Sequence, residues 1–283
     1  MIDDPVHEAV HRALAEDLGA GEDSDLTTNA IVPPDARGRA SLVAHEGGVL
    51  AGNEAFELAF AAFDRDVVVE WNAKQGERVE AGDVVATVEG NLRAILTAER
   101  TALNFVQRAS GVATFASRFV AAARGTEVRD TRKTIPGFRV MQKIATRAGG
   151  AVNHRMGLHD AVLIKDNHIA YAGSVTEAVR RVREKLPAMW IEAECDTLEQ
   201  VREALDAGAN ELLLDNMDVA TMTQAVKLAK GRARTEASGG ITLDTIVAVA
   251  ATGVDSISVG AITHSAPALD FSLEVEPLDA PRG

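Results

Sequence analysis

A cluster of basic residues in the middle of the chain is the strongest chemical signal in the sequence. Between Arg129 and His168 there are eight Lys or Arg residues and only three Asp or Glu, although the whole chain has a net charge of −13. Guanidinium groups bind carboxylates through two parallel hydrogen bonds, so several arginines in one pocket predict a ligand with more than one carboxylate. The candidate donors in this cluster are Arg132, Lys133, Asn153, His154, Arg155 and Lys165.

Two carboxylates follow the basic cluster, at the predicted ends of neighbouring strands. Glu194 and Asp215 can bind Mg²⁺, directly or through water, or accept hydrogen bonds from ribose hydroxyls. The alternative is a salt bridge to Lys133 or Lys165 that only holds the barrel mouth, and the two roles are compatible. Lys165 by itself also fits a Schiff-base lysine, but the surrounding cations favour a role in binding charge.

Glycine turns close the last two predicted strands. Ser238-Gly-Gly240 and Gly260 stand where backbone N–H groups can approach a phosphate, and the N-terminus of the next helix would add its dipole. The alternative is an ordinary tight turn. The sequence therefore predicts a phosphate at one end of the site, polyanionic groups in the middle and a carboxylated partner at the other end. This pattern suggests transfer of a phosphorylated sugar to a small acid.

These residues must be positioned by alternating strands and helices. Six short apolar strands are predicted to end 21 to 33 residues apart, which is the length of βα units. Ser174–Glu177 and Thr197–Gln200 are predicted capping boxes, and Gly208 and Gly253 are predicted to end helices. A parallel α/β barrel, complete or incomplete, explains residues 108–266 best. An open doubly wound sheet is the alternative, although no G-x-G-x-x-G turn follows the first strand. The predicted strand ends are Arg132, Lys165, Glu194, Asp215, Ser238 and Gly260.

The N-terminal part of the chain has a different pattern of predicted helices and strands. A helix is predicted to begin at Pro5, with Asp4 as its N-cap, and to end at Gly19. Short β-runs follow over residues 39–89, and a long helix is predicted from Thr97, as N-cap, to Arg124. Residues 74–85 resemble the hairpin of lipoyl or biotinyl carriers. A generic turn is the stronger interpretation, because no Lys stands at a hairpin tip in the Met-Lys context of those carriers.

Composition limits the possible function classes. A chain of 283 residues can form a small domain joined to a barrel-sized one. The negative net charge argues against nucleic-acid binding as the main function. The single cysteine, Cys195, rules out an internal disulfide framework and fits a reducing compartment. The sequence has no signal-peptide pattern and no apolar run long enough to span a membrane, so we expect a cytoplasmic protein.

The motifs together resemble the quinolinate phosphoribosyltransferase family, that is, nicotinate-nucleotide pyrophosphorylase (carboxylating). The similarity is strongest in DTRKTIPGFR, GGAVNHR and LIKDNH, which begin at Asp130, Gly149 and Leu163. It extends in order over essentially the whole chain. The further matching segments are AERTALNF from Ala98, EAE from Glu192, LDN from Leu214, SGGI from Ser238 and GAITH from Gly260.

The resemblance implies a two-domain fold. Residues 1–107 would form an N-terminal α/β sandwich domain on which the C-terminal tail, 267–283, packs, and residues 108–266 an incomplete parallel α/β barrel. It also implies a homodimer in which the N-terminal domain of one subunit closes the barrel mouth of the other, so that Arg100 enters the site of the partner.

The resemblance implies roles for the site residues. Arg132, His154, Arg155 and Lys165 would hold the two carboxylates of quinolinate, with Lys133 between quinolinate and the donor. Glu194 and Asp215 would face the ribose and Mg²⁺. Lys133, Lys165, Glu194 and Asp215 would be catalytic. The 5-phosphate would be held by Ser238, Gly240, Gly260 and His264.

The implied reaction converts quinolinate and phosphoribosyl pyrophosphate into nicotinate mononucleotide, pyrophosphate and carbon dioxide, in de novo NAD biosynthesis. Three rival interpretations remain open from the sequence. The first is a paralogous phosphoribosyltransferase with another carboxylated acceptor. The second is a Schiff-base lyase that uses Lys165, and the third is a carrier module over residues 65–90.

Overall fold

The computed structural model describes residues 4–19 and 24–278. Up to the end of its longest helix, the chain forms the following elements: α1 (Pro5–Leu18), α2 (Leu26–Ile31), β1 (Arg37–Ala44), β2 (Gly48–Val49), α3 (Asn53–Ala61), β3 (Val68–Trp71), β4 (Arg78–Val79), β5 (Val84–Asn91) and α4 (Leu92–Ala122).

The remaining elements alternate strand and helix with few exceptions. They are β6 (Glu127–Arg129), α5 (Arg139–Ala148), β7 (Val162–Ile164), α6 (Asp166–Ala172), α7 (Val175–Lys185), β8 (Ile191–Cys195), α8 (Leu198–Asp206), β9 (Glu211–Asp215), α9 (Val219–Ala229), β10 (Arg234–Ser238), α10 (Ile246–Ala250), β11 (Ser256–Ser258), α11 (Ala261–His264) and β12 (Phe271–Pro277).

The chain divides into two compact units. The N-terminal unit contains the described residues up to Ser117, together with Ile135–Gly150 and those from Ala266 onward. The barrel unit contains Arg118–Thr134 and Ala151–Ser265. The predicted boundary after residue 107 stays a prediction.

An antiparallel sheet with the strand order β12-β1-β5-β3 organises the N-terminal unit. The last strand, β12, pairs along the whole length of β1, so the end of the described chain belongs to the sheet that begins at Arg37. The helix α3 contributes Phe56 and Phe60, which are fully buried and contact each other edge to face at 5.0 Å. The short strand β4 pairs with β2, so the segment that resembles a carrier hairpin is part of this unit's sheet structure.

Six parallel strands organise the barrel unit, in the order β6-β11-β10-β9-β8-β7. Beyond β6, Arg129 makes a further parallel bridge with Val152. No ladder among the described residues joins β7 to that edge, so the barrel is open. The prediction of an incomplete parallel α/β barrel is confirmed. The doubly wound alternative is wrong, because consecutive strands β7 to β11 lie side by side in sequence order and no reversal of strand order occurs among them.

Helix ends follow from local hydrogen bonds. The first helix has the predicted Asp4 cap, whose carboxylate accepts from the N–H of Val6 at 2.9 Å. The predicted Thr97 cap is wrong: α4 begins at Leu92, where the side chain of Asn91 accepts from the N–H of Ala94 at 3.1 Å. The hydroxyl of Thr97 donates instead to Asp25 at 2.9 Å.

One of the two predicted capping boxes is complete. Thr197 and Gln200 each bond to the backbone of the other. Ser174 accepts from the N–H of Glu177, but the return bond is missing because the Glu177 carboxylate forms ion pairs with Arg180 and Arg181. None of the helices in the described part of the chain combines the length and hydrophobicity that a membrane crossing requires.

Candidate active site

A cleft of about 450 Å³ opens at the carboxyl ends of the parallel strands of the barrel unit. This edge is where barrel enzymes place their working residues, because the loops that follow the strands converge there. Eight of the residues singled out in the sequence line it: Arg132, Lys133, His154, Arg155, Lys165, Glu194, Asp215 and Ser238. The structure therefore brings together the basic cluster, both carboxylates and the first glycine turn.

The second glycine turn lies against Lys133. A Cβ atom on Gly260 would stand 3.0 Å from Cδ of Lys133 and 3.3 Å from Nε2 of His264, so only glycine allows this approach without displacement. The hydroxyl of Thr263 donates to the carbonyl of Lys133 at 2.8 Å and fixes the two segments to each other. The turn that holds Gly260 and His264 is thus adjacent to the predicted donor side of the cleft.

The turn after β10 has the backbone form that a phosphate site needs, but it lacks the expected helix. Gly239 and Gly240 have φ angles of +93° and +60°, which L-residues rarely adopt. A Cβ atom on Gly240 would meet nothing within 4 Å, so this backbone is open. The expected helix dipole directly behind this turn is wrong, because α10 begins only at Ile246, whereas Gly260 of the second turn is the N-cap of α11, a single turn.

Lys165 and Glu194 form an ion pair at the mouth of the barrel. The second oxygen of Glu194 accepts from the backbone N–H of Asp166 at 3.3 Å. The salt bridge between Lys165 and Glu194, which the sequence offered as an alternative role for the carboxylate, is therefore present. Lys165 remains partly exposed and lines the cleft, so the pair leaves the ammonium accessible to an anionic ligand.

The carboxylates that end the middle strands form a candidate cation site. One oxygen from each of Glu194, Asp196 and Asp215 lies within 4.8 Å of the other two. Hard oxygen donors with one buried carboxylate suit Mg²⁺, which usually keeps several waters and takes only a few protein ligands. The donor set fits the metal that the resemblance implies. Asp196 was missed because it follows the strand by one residue.

Two guanidinium groups converge on the cleft. The Nε of Arg132 is buried and has no hydrogen-bond partner among the described residues. Arg155 donates from Nη1 to the carbonyl of Ala161 at 3.2 Å. Partial burial, together with the positive charge of Arg132, lowers the pKa of Arg155. Two adjacent cations, one with an unused buried donor, favour an anionic ligand between them.

His154 is held on every side. Its backbone N–H donates to Asp130 at 2.8 Å, and its Nδ1 accepts from the N–H of Arg155 at 2.7 Å. Its Nε2 lies 3.2 Å from Glu192 and 3.5 Å from Glu236. Burial opposes the charged imidazolium, but the hydrogen bond to Glu192 and the charge of Glu236 raise the pKa of His154 above its ordinary value. Because both ring nitrogens already have protein partners, the imidazole is less available to a substrate carboxylate than the sequence suggested.

An ionic cluster that reaches the wall of the cleft through Glu236 was missed by the sequence analysis. Arg129 donates to Glu127 at 2.7 Å, to Glu211 at 2.9 Å and to Glu236 at 2.6 Å. Burial would lower the pKa of Arg129, but the charges of Glu236 and Glu211 raise it. Burial and the charge of Glu192 raise the pKa of Glu236. A signal was available: Glu192 and Glu236 stand two residues before Glu194 and Ser238, so the twofold period of a strand places them on the same face.

Gly240, Gly260 and His264 are not among the residues that line the cleft, and neither are Arg100 and Cys195. Arg100 lies on α4 in the N-terminal unit, where it is exposed. Cys195 ends β8, but its thiol is fully buried, and burial raises its pKa to about 12. A thiol with that pKa is not a nucleophile at neutral pH.

Comparisons with known proteins agree along the whole chain. The family model of the quinolinate phosphoribosyl transferase C-terminal domain matches residues 112–274, and that of the N-terminal domain matches residues 25–110. A probable nicotinate-nucleotide pyrophosphorylase (carboxylating) of Synechocystis sp. is 46% identical over 93% of this chain and 90% of its own length. The corresponding Mycobacterium leprae protein is 43% identical over 96% of this chain and 98% of its own. The crystal structure of NadC from Streptococcus pyogenes superposes with a TM-score of 0.92 at 40% identity and covers 97% of both chains.

Proposed function

Since this chain belongs to the quinolinate phosphoribosyltransferase family, we propose that the cleft of its barrel unit is the active site. The protein is a phosphoribosyltransferase of NAD biosynthesis. It combines quinolinate with phosphoribosyl pyrophosphate and forms nicotinate mononucleotide, pyrophosphate and carbon dioxide. The observation that carries the site proposal is that one cleft contains two guanidinium groups, Lys165, two carboxylates and Ser238, the residue that begins the open glycine turn.

The acid acceptor takes the basic end of the cleft. Arg132 and Arg155 receive its two carboxylates, and the unused Nε of Arg132 supplies a buried donor. Lys165, partly neutralised by Glu194, adds a third positive group. His154 supports this end through the backbone of Arg155. A site whose donors are left unpaired when one carboxylate is missing discriminates against monocarboxylic acids.

The phosphoribosyl donor takes the opposite end. Ser238, Gly240, Gly260 and His264 hold the 5-phosphate, mainly through backbone N–H groups that the glycines leave open. Lys133 lies against Gly260 and so stands between the phosphate turn and the acceptor. Glu194 and Asp215 face the ribose and stabilise positive charge as it develops at C1.

The reaction needs no covalent enzyme intermediate, because each bond that forms is matched by a bond that breaks in the substrates. The lone pair of the pyridine nitrogen forms the bond to C1 of the ribose, and the bond from C1 to the pyrophosphate oxygen breaks with its electrons on the departing pyrophosphate. The quaternised ring then accepts the electron pair left at C2 when the adjacent carboxylate departs as carbon dioxide, and C2 takes a proton. The cations of the cleft stabilise the pyrophosphate, which carries the largest developing charge.

Mg²⁺ would be held by Glu194 and Asp215, with Asp196 within reach, and would supply charge neutralisation of the pyrophosphate. We expect Asp215→Asn to raise the Mg²⁺ concentration that gives half-maximal turnover by about tenfold or more, because it removes one anionic ligand. The exposed Asp206, on α8, supplies the control: Asp206→Asn should leave the Mg²⁺ dependence unchanged. Equal Mg²⁺ dependence in both variants would remove Asp215 from the metal site.

The working enzyme is a cytoplasmic homodimer with a shared site. The support is the family membership together with Arg100, an exposed arginine of the N-terminal unit within one of the matching motifs. In this arrangement Arg100 of the partner subunit completes the basic end of the cleft.

Acceptor choice tests the assignment. Pyrophosphate release should be rapid with quinolinate and at least about a hundredfold slower with nicotinate, because nicotinate leaves one guanidinium group without its carboxylate. Faster release with a different carboxylated acceptor would identify a paralogous phosphoribosyltransferase. A covalent adduct at Lys165 trapped by borohydride from a carbonyl substrate would identify a Schiff-base enzyme and overturn the proposal.

A further inference from the structure

The ionic cluster around Arg129, which reaches the cleft through Glu236, places several charged groups in the interior of the barrel unit. Glu192, Glu211 and Glu236 are all at least nine-tenths buried, and they lie on three adjacent strands of a barrel interior. Barrel interiors are normally filled by branched aliphatic side chains. Burying ion pairs in their place gains little stability over well-packed apolar residues, because desolvation offsets the attraction. Stability alone therefore does not explain the cluster.

One branch of the cluster leads directly to the cleft. Arg129 donates to Glu236 at 2.6 Å, and Glu236 in turn lies 3.5 Å from Nε2 of His154, to which Glu192 is the closer carboxylate at 3.2 Å. The other ring nitrogen of His154 accepts the backbone N–H of Arg155 at 2.7 Å. A nitrogen that accepts a hydrogen bond carries no proton, so the imidazole proton is on Nε2 and faces the two carboxylates.

The imidazole thus connects buried carboxylates to the backbone of Arg155. The segment before it, at Val152, has only a single bridge to the edge of the sheet. Asp130 fixes the start of the segment by accepting from the side chain of Asn153 at 2.7 Å and from the N–H of His154 at 2.8 Å. The ring of His154 fixes its end. No regular strand or helix holds the segment, so the direction in which the guanidinium of Arg155 enters the cleft depends on these backbone contacts and on its own hydrogen bond to the carbonyl of Ala161.

We propose that Glu236 is a positioning residue for acceptor binding, which acts through the imidazole of His154 on the backbone and guanidinium of Arg155. Glu236 is fully buried and is itself fixed by Arg129, so it forms a rigid base for the imidazole. The proposal rests on the proposed function, because it takes the acid acceptor as the ligand of Arg155. It assigns a role to a residue that belongs to neither the basic cluster nor the metal site.

A pair of matched variants separates positioning from stability. Glu236→Gln keeps the shape of the side chain and removes one of the two carboxylates that face Nε2, while Glu192 stays in place. Glu211→Gln makes the same change within the same cluster, where the carboxylate contacts Arg129 at 2.9 Å and the indole of Trp190 at 3.1 Å but has no contact with His154 among the described residues. Both variants weaken the cluster, and only one touches the imidazole.

We expect Glu236→Gln to raise KM for quinolinate by about tenfold, since small misplacements of a binding group carry large costs. KM for phosphoribosyl pyrophosphate and kcat should change by less than about threefold, because the donor end of the cleft is untouched. Glu211→Gln should leave all three parameters within about twofold. Equal changes in both variants, or an unchanged KM for quinolinate in Glu236→Gln, would overturn the proposal.

A second measurement does not depend on turnover. In protein labelled with ¹⁵N-histidine, the His154 signal, identified by its loss in His154→Gln, should report the tautomer with the proton on Nε2 in the wild type and in Glu211→Gln. Glu236→Gln should keep this tautomer, because Glu192 and the N–H of Arg155 still face the two ring nitrogens, but it should shift the Nε2 signal by removing one of the two carboxylates that face it. If Glu236→Gln does not fold, Glu236→Asp, which keeps the charge at a shorter reach, should still raise KM for quinolinate and shift the Nε2 signal of His154, and no change in either would overturn the proposal.

The two measurements distinguish the possible failures. A wild-type protein that is inactive with quinolinate, together with the expected His154 signals, refutes the proposed function and leaves the link from Glu236 to His154 intact. An active protein with the same Nε2 signal of His154 in all three forms refutes the positioning role.

Discussion

Arg132 and Lys165 carry their charges at the edge of the cleft without holding the barrel together. The Nε of Arg132 has no partner to lose among the described residues, and Lys165 is partly exposed in its pair with Glu194. Partly exposed ion pairs contribute little to folding, because solvent screens them. The charges of these two residues are therefore available for ligand binding, and this separates their effect on activity from their effect on stability.

We expect Arg132→Ala and Lys165→Ala each to lower kcat/KM for quinolinate by about a hundredfold or more, the usual range for a lost electrostatic contact in a desolvated site. Their melting temperatures should stay within about 3 °C of the wild type. The exposed Lys227 on α9 supplies the control, and Lys227→Ala should retain full activity. Near-normal activity in both site variants would refute the assignment of the cleft.

Sequence patterns identified the residues that end strands but not those that lie deeper. Asp215 and Ser238 end strands as predicted, because a charged or small residue after an apolar run marks the point where a buried strand reaches solvent, and Glu194 lies one residue before the end of β8. Glu192 and Glu236 remained hidden, because a carboxylate inside a strand gives no sign of its partners. Their contacts with His154 and Arg129 come from segments more than 35 residues away in the chain, and such pairing depends on the closed fold.

The helix α4 shows how close packing within the N-terminal unit depends on one glycine. A Cβ atom on Gly111 would stand 1.9 Å from the carbonyl oxygen of Pro267 and 2.9 Å from Cα of Ala268. The same C-terminal segment bonds to this helix twice: Arg108 donates to the carbonyl of Ala266 at 2.7 Å, and the N–H of Leu269 donates to the carbonyl of Gln107 at 3.0 Å.

Gly111→Ala should therefore destabilise the protein, although alanine is the better helix former by about 1 kcal/mol. Backbone atoms must move to admit the methyl group, and overpacking of this kind costs about 1–3 kcal/mol. A lower midpoint of thermal unfolding is the expected result. Asn104→Ala, at an exposed position of the same helix, should leave the midpoint unchanged or raise it slightly. A stabilised Gly111→Ala would show that the two segments are not in close contact.

Element types could be predicted from the sequence better than element ends. The six parallel strands follow from the repeated apolar runs, and the Thr197 capping box follows from residue types at a fixed spacing. The start of α4 did not follow, because Asn91 and Thr97 are both good caps and a contact with the distant Asp25 occupies Thr97. The bounds of the short helices α10 and α11 could not be predicted either. The first begins some residues after two glycines with positive φ, and the second is a single turn.

At the scale of the whole molecule, the activity of each subunit in the proposed dimer depends on a residue of the other subunit. Subunits that carry Arg100→Ala and subunits that carry Lys165→Ala should each be inactive alone. A mixed dimer has one site in which both residues are native, so randomly reassembled mixtures should recover roughly a quarter of the wild-type activity. Turnover after mixing, dissociation and reassembly measures this recovery. If no activity returns although mixed dimers form, Arg100 does not act in the site of the partner.

In the proposed function, one cleft couples transfer of the phosphoribosyl group to loss of the carboxylate next to the ring nitrogen. The most direct test supplies quinolinate labelled in that carboxylate, with phosphoribosyl pyrophosphate and Mg²⁺, and follows both products. We predict one pyrophosphate and one labelled carbon dioxide per turnover, with the other carboxylate kept in the mononucleotide. Pyrophosphate release without labelled carbon dioxide, or carbon dioxide release without the phosphoribosyl donor, would contradict the account.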